Sequence, residues 1–165
     1  MIEGPAESDL TTLAPASRAL GTWQWEANDA AALRGVGAAL AARFPAPRAV
    51  LLTGPLGAGK TTLAQGWLGA LGVADPVKSP TFDLVHRHAA QGGTAYHVDL
   101  YRLSPVPPPE ELDVPLPPAD GSLVLVEWGE PWRRYAPQRV EVAIDFLSPA
   151  EGRRVVRVRQ EGSAP

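Results

Sequence analysis

The sequence predicts an α/β fold, a layered domain with a mostly parallel central sheet and antiparallel margins. Three observations predict it. Two near-continuous apolar runs, Arg48–Thr53 (RAVLLT) and Ser122–Glu127 (SLVLVE), read as strands buried on both faces, which is the pattern of a parallel centre. Helix-like segments stand on either side of the first run. Towards the end, Val140, Val142, Ile144 and Phe146 alternate with polar or small residues, the period-2 mark of a strand with one covered face.

In chain order, residues 1–20 mix Pro, Ser, Ala and acids without periodicity and read as a mobile tail. A single domain is expected over 21–160, with a short C-terminal tail at 161–165. Thr22–Glu26 (TWQWE) alternates as a short edge strand does. Asn28 is placed to cap a helix running through DAAALRGVGAALAARF, which Pro45 and Pro47 stop. The Arg48–Thr53 strand enters the loop Gly54–Gly59, and Lys60–Leu71 forms the next helix, ended by Gly72. Val85–His88 and Thr94–Arg102 read as strands around the turn Gln91–Gly93. Seven prolines between Ser104 and Asp120 exclude a central element and leave a long surface excursion with one short segment, EEL. After the strand ending at Glu127, Arg139–Leu147 and Arg153–Arg159 form a hairpin on the sheet edge around SPAEG.

Composition narrows the functional classes. At 165 residues the chain fits one domain, and folding at this size buries roughly 70% of the unfolded surface. A net charge of −3 supplies no general basic field, so contact with RNA is expected through a partner. The absence of cysteine excludes a disulfide scaffold, thiolate metal sites and a cysteine nucleophile, and makes the cytoplasm the expected setting. The first 21 residues lack the bases and apolar run of a signal peptide, and no stretch reaches the roughly 18 apolar residues of a membrane span. Thirteen of fifteen basic residues are Arg, and the two lysines, Lys60 and Lys78, both fall in the glycine- and threonine-rich region. There a compact ammonium serves where a guanidinium does not.

That region carries the chemistry. Gly54 to Thr61 (GPLGAGKT) satisfies the phosphate-loop pattern G-x-x-x-x-G-K-[ST], with an apolar strand before it and a helix after. Gly54, Gly57, Ala58 and Gly59 leave room for backbone N–H groups to converge on phosphate oxygens, and the helix mouth adds favourable partial charge. Lys60 reaches the β- and γ-phosphates in this reading, Thr61 places its hydroxyl on Mg²⁺, and Thr62 bonds the α-phosphate. The fold expectation sharpens to a P-loop NTPase-like three-layer sandwich. Glu127, ending the second buried strand, is either the second magnesium anchor or a strand-end carboxylate meeting solvent. Alternation puts His97, Asp99 and Tyr101 on one strand face and Val98, Leu100 and Arg102 on the other. Asp99 then either orients the attacking water or belongs to a solvated face. In KSPTFDL, Pro80 fixes a loop whose Ser79 and Thr81 hydroxyls either sense the γ-phosphate or merely join two elements. Arg133 and Arg134 meet phosphate, partner or solvent. The arginines at 153, 154, 157 and 159 meet an acidic partner or tRNA backbone, or else decorate an edge strand. No N-K-x-D word for guanine occurs.

The words GPLGAGKTT, VKSPTFDLVH, HVDLYRL, EEL and LVEWGE, in this order over about Val50–Glu130, resemble the TsaE family, also called YjeE. The resemblance implies an ATP-binding and ATP-hydrolysing subunit of the machinery that makes threonylcarbamoyladenosine beside the anticodon of ANN-decoding tRNAs. It implies weak hydrolysis alone, stimulation by the TsaB–TsaD heterodimer, and a role in resetting that complex. tRNA is engaged indirectly, with no part for DNA or membrane. By position, Lys60, Thr61 and Thr62 match nucleotide-holding residues, Thr61 and Glu127 the Mg²⁺ ligands, and Thr81 a switch-like threonine. Asp99 matches an acid needed for hydrolysis, and Trp128 a tryptophan beside the nucleotide. Three departures stand out: Pro55 where the family commonly has Asp, Leu33 where it usually has Thr near the adenine, and DVPLPPADG after EEL. Two other classes remain: a free-standing small-molecule kinase with Arg133 and Arg134 as lid arginines, and a nucleotide-binding scaffold without turnover.

Overall fold

The computed structural model describes residues 22–46, 48–119 and 121–162, so the expected N-terminal tail lies outside the described residues. Among the described residues seven strands form one mixed sheet in the order β1-β7-β6-β2-β5-β4-β3. They are β1 (Thr22–Ala27), β2 (Arg48–Thr53), β3 (Val85–Ala90), β4 (Gly93–Asp99), β5 (Leu123–Glu127), β6 (Arg139–Ser148) and β7 (Arg153–Glu161). The two apolar runs are neighbours at the centre: β2 lies parallel to β5 and to β6, and β5 parallel to β4. All five residues of β5 are buried, as a strand covered on both faces requires. The margins, β3 on β4 and β7 between β6 and β1, are antiparallel.

Among the described residues two α-helices cover one face, α1 (Ala30–Arg43) and α2 (Lys60–Ala70). Leu33, Val36 and Leu40 of α1 and Leu63, Trp67 and Leu68 of α2 join Val50, Leu52, Val142 and Val156 in the larger core. The helices approach closely because glycine stands at both crossing points. A Cβ on Gly37 would collide with the Leu63 and Trp67 backbone, and one on Gly66 with the backbone of Arg34.

The opposite face has no α-helix among the described residues. Leu51, Val98, Val124 and Val126 are covered instead by the proline-rich stretch and the 3₁₀ turn Glu130–Tyr135, through Leu100, Val114 and Trp132. Trp132 is fully buried and donates its Nε1–H to the Pro107 carbonyl at 2.9 Å. The expected surface excursion is therefore the third layer. Its prolines preset the backbone and need no ladder partners, while Val114 and its neighbours bury apolar area that β5 would otherwise expose.

Three local expectations change. Asp29, not Asn28, caps α1, accepting from the Ala32 N–H at 2.7 Å. β4 stops at Asp99 rather than Arg102, because the Asp99 carboxylate accepts the Tyr101 N–H at 2.9 Å and turns the chain. β7 is not at the sheet edge: β1 pairs along it from Thr22↔Arg159 to Ala27↔Arg154, drawn in by Trp23 and Ala27, which join the helix-side core.

Candidate nucleotide site

The carboxyl ends of β2, β5 and β4 lie side by side, with Leu52 opposite Glu127 and Glu127 opposite Asp99. This is the edge at which ligands of open α/β sheets sit. β2 opens there into the glycine loop. Gly54, Gly57 and Gly59 all have positive φ (140°, 77° and 111°), a backbone that side-chain-bearing residues avoid. The loop enters α2 with Gly59 at the N-cap, no side-chain cap and no acid in the first turn, so the helix mouth keeps its donors and partial positive charge. A cleft of about 510 Å³ opens here, lined by Gly57, Gly59, Lys60, Thr61 and Thr62 from the loop and helix, by Ser79 and Thr81, and by Asp99, Glu127 and Trp128.

Lys60 is buried, and its Nζ donates to the Gly54 and Pro55 carbonyls at 2.7 and 2.9 Å. It lies 3.8 Å from the centre of the Trp128 ring, which stacks on Tyr101 at 4.7 Å. Burial lowers the lysine's pKa from its ordinary 10.5, against the pull of Glu127, Glu130 and Asp99. Trp128 holds φ 58°, in the left-handed region, which for a bulky residue stores about 1–3 kcal/mol of strain. That strained backbone turns the indole over Lys60.

Two hydrogen-bonded groups complete the cleft. Thr61 Oγ1 lies 2.8 and 3.0 Å from the two Glu127 carboxylate oxygens, and His97 Nε2 is 2.7 Å from Glu127 Oε1. His97 is fully buried, with Nε2 facing Glu127 and Nδ1 unpartnered. Asp99 Oδ2 accepts from Ser79 at 2.9 Å and from Thr81 at 3.0 Å, and the two hydroxyls are 2.7 Å apart. The SPTF loop is thus tied to the end of β4.

Magnesium suits this donor set. No cluster of three His, Cys, Asp or Glu side chains occurs among the described residues, so no protein cage is offered. Mg²⁺ beside a nucleotide instead takes one or two protein ligands with phosphates and waters. Thr61, whose proton goes to Glu127, keeps oxygen lone pairs for such an ion, and Glu127 supplies the charge.

All the residues expected at the site line this cleft except Gly54 and Ala58, which belong to the loop's backbone. Gly54 instead holds the Lys60 ammonium. Arg133 and Arg134 do not line it; Arg133 is engaged by Glu141 at 2.8 Å, and the arginine at the cleft is Arg102. Sequence reasoning missed the Tyr101–Trp128 stack and the His97–Glu127 pair. The alternation of β4 put His97 on the correct face without giving its partner. Leu33, where an adenine-side threonine was noted, packs against Gly59 and lines a second cavity of about 110 Å³ with Asp29, Thr62 and Arg154.

The profile of the family described as "Threonylcarbamoyl adenosine biosynthesis protein TsaE" matches residues 27–156. The "tRNA threonylcarbamoyladenosine biosynthesis protein TsaE" of Streptomyces coelicolor is 45% identical over 101 residues, 59% of this chain and 68% of that protein. The protein of the same description from Haemophilus influenzae is 42% identical over 106 residues, 61% of this chain and 65% of that one. The match thus spans about two thirds of each relative's length. The crystal structure of Bacillus subtilus YdiB shares the fold, with a TM-score of 0.69 over 88% of this chain and 90% of that one at 24% identity.

Proposed function

The chain belongs to the TsaE family, which acts in threonylcarbamoyladenosine biosynthesis, and from that premise we propose that it is that pathway's ATP-binding and ATP-hydrolysing subunit, regulating the TsaB–TsaD heterodimer. The observation that carries the proposal is the Thr61–Glu127 contact at the mouth of an uncapped helix: a hydroxyl and a carboxylate held where a magnesium-bound triphosphate needs them.

The residues divide the work. The loop N–H groups and the α2 N-terminus hold the phosphates, and Lys60, whose Nζ donates to two loop carbonyls, supplies positive charge for the β- and γ-phosphates. Thr61 and Glu127 would hold Mg²⁺, which when bound neutralises charge on the phosphoryl oxygens. His97 fixes the Glu127 carboxylate in place. Asp99 orients the attacking water, and Thr81 is the group that tells ATP from ADP. The Thr81 hydroxyl donates to Asp99 at 3.0 Å. A γ-phosphate competes for that hydroxyl, and the loop carrying Phe82 moves with it. Phe82 is 81% exposed, an apolar side chain on the moving segment that a partner can read.

The test is phosphate release by the purified chain, alone and with its cognate TsaB–TsaD pair. Slow turnover alone and at least tenfold stimulation by the pair are expected. A phosphorylated small molecule as the product would replace this reading with a kinase.

A further inference from the structure

Arg154 lies on β7, far along the chain from the phosphate loop, yet it touches that loop. Its Nε donates to the Ala58 carbonyl at 2.8 Å and its Nη2 to the Gly57 carbonyl at 3.3 Å. The cross-strand partner Phe146 lies under the guanidinium at 4.3 Å. Arg154 does not line the large cleft. It lines the 110 Å³ cavity on the other side of the same loop. Among the described residues no carboxylate pairs with it, and its buried Nη1 has no partner. A half-buried guanidinium with its Nη1 enclosed gives up part of its hydration for two neutral acceptors, a poor exchange if stability alone chose the position.

Resting on the nucleotide reading above, we propose that Arg154 is a positioning residue for the phosphate loop, bracing it from behind. A trans peptide carries its C=O and N–H on opposite sides. Anchoring the Ala58 carbonyl to Arg154 therefore turns the Gly59 N–H the other way, towards the cleft that Gly59 lines. Gly59 stands at φ 111° without a side-chain cap, and its own carbonyl accepts the Leu63 N–H at 2.9 Å, so Arg154 acts on the peptide that precedes it. The unpaired charge also adds attraction for phosphate through a thin loop, so brace and field act together.

The experiment is calorimetry of Mg·ADP binding and steady-state hydrolysis for the wild type, Arg154→Ala, Arg154→Lys and Arg153→Ala, with amide hydrogen exchange at Gly57–Gly59 in the nucleotide-free proteins. Arg154→Ala is expected to weaken binding about tenfold, the scale of one charge-assisted hydrogen bond. KM should rise while kcat at saturation stays. Arg154→Lys, keeping the charge but not the fork, should fall between, with faster exchange at Gly59. Arg153→Ala, whose side chain pairs with Glu26 and Glu151, should match wild type. Wild-type affinity and exchange in Arg154→Lys would overturn the brace, and that variant decides the matter even if Arg154→Ala fails to fold. No binding by the wild type would instead sink the nucleotide reading, leaving the exchange data to judge the brace separately.

Discussion

Asp99 sits where the proposed hydrolytic and sensing roles meet. One carboxylate oxygen takes the Ser79 and Thr81 hydroxyls, and the other takes the Tyr101 N–H, which ends β4 and leaves Tyr101 free to stack on Trp128. Asp99→Asn keeps an oxygen of the same size but loses the charge. It is expected to bind Mg·ATP within about threefold of wild type and to lose about 100-fold in turnover, the range of a positioned base. Binding calorimetry beside phosphate release separates the two. Wild-type-like turnover would remove Asp99 from the mechanism. At this scale motif spacing gave which side chain stands at which strand end, and those side chains line one cleft. It did not name the contacts: Glu127 and Thr61 are 66 positions apart and Glu127 and His97 are 30 apart, and no local pattern encodes such pairs.

The helix pair is the element on which the phosphate loop stands. α2 begins at Lys60, so its seating against α1 sets where the helix mouth points. That seating depends on Gly37 and Gly66, at which any side chain would strike the backbone of the other helix. Gly37→Ala is expected to destabilise by about 1–3 kcal/mol through overpacking, despite alanine's better helix propensity. Urea denaturation measures it. A gain in stability would show that the helices separate without cost. In the sequence these glycines look like interruptions of an alanine-rich helix, and only the crossing gives their reason. The Asp29 cap and the early end of β4 were likewise undecided locally, since Asn28 and Asp29 are equally good caps and β4's alternation runs on past its last paired residue.

Across the whole molecule, the sheet margins are tied together by charge as well as packing. Glu141 on β6 is buried and receives Arg133 from the 3₁₀ turn at 2.8 Å and Arg139 at 2.6 Å, with Arg159 of β7 at 3.7 Å. Burial opposes its ionisation more than any other single influence, but the Arg133 and Arg139 hydrogen bonds and charges together outweigh it and hold the carboxyl below its usual 4.5. A depressed folded-state pKa contributes stability that is complete above pH 4.5 and is lost as pH falls through the folded value. Glu141→Gln is therefore expected to cost about 1–3 kcal/mol near neutrality, with its deficit against wild type closing below pH 4.5. Thermal melts from pH 3 to 7 follow the difference. A deficit independent of pH would assign the effect to packing.

The sequence by itself determined the parallel centre, the phosphate loop and the strand-end acids, because burial on both faces, glycine's backbone freedom and motif spacing are written within a few residues of one another. Tertiary structure alone decided that the proline-rich stretch forms a layer, that β7 lies inside the sheet, and that Arg154 meets the loop 96 positions before it. Those outcomes depend on which distant surfaces are left to cover once the centre has formed, and local propensity carries no record of them.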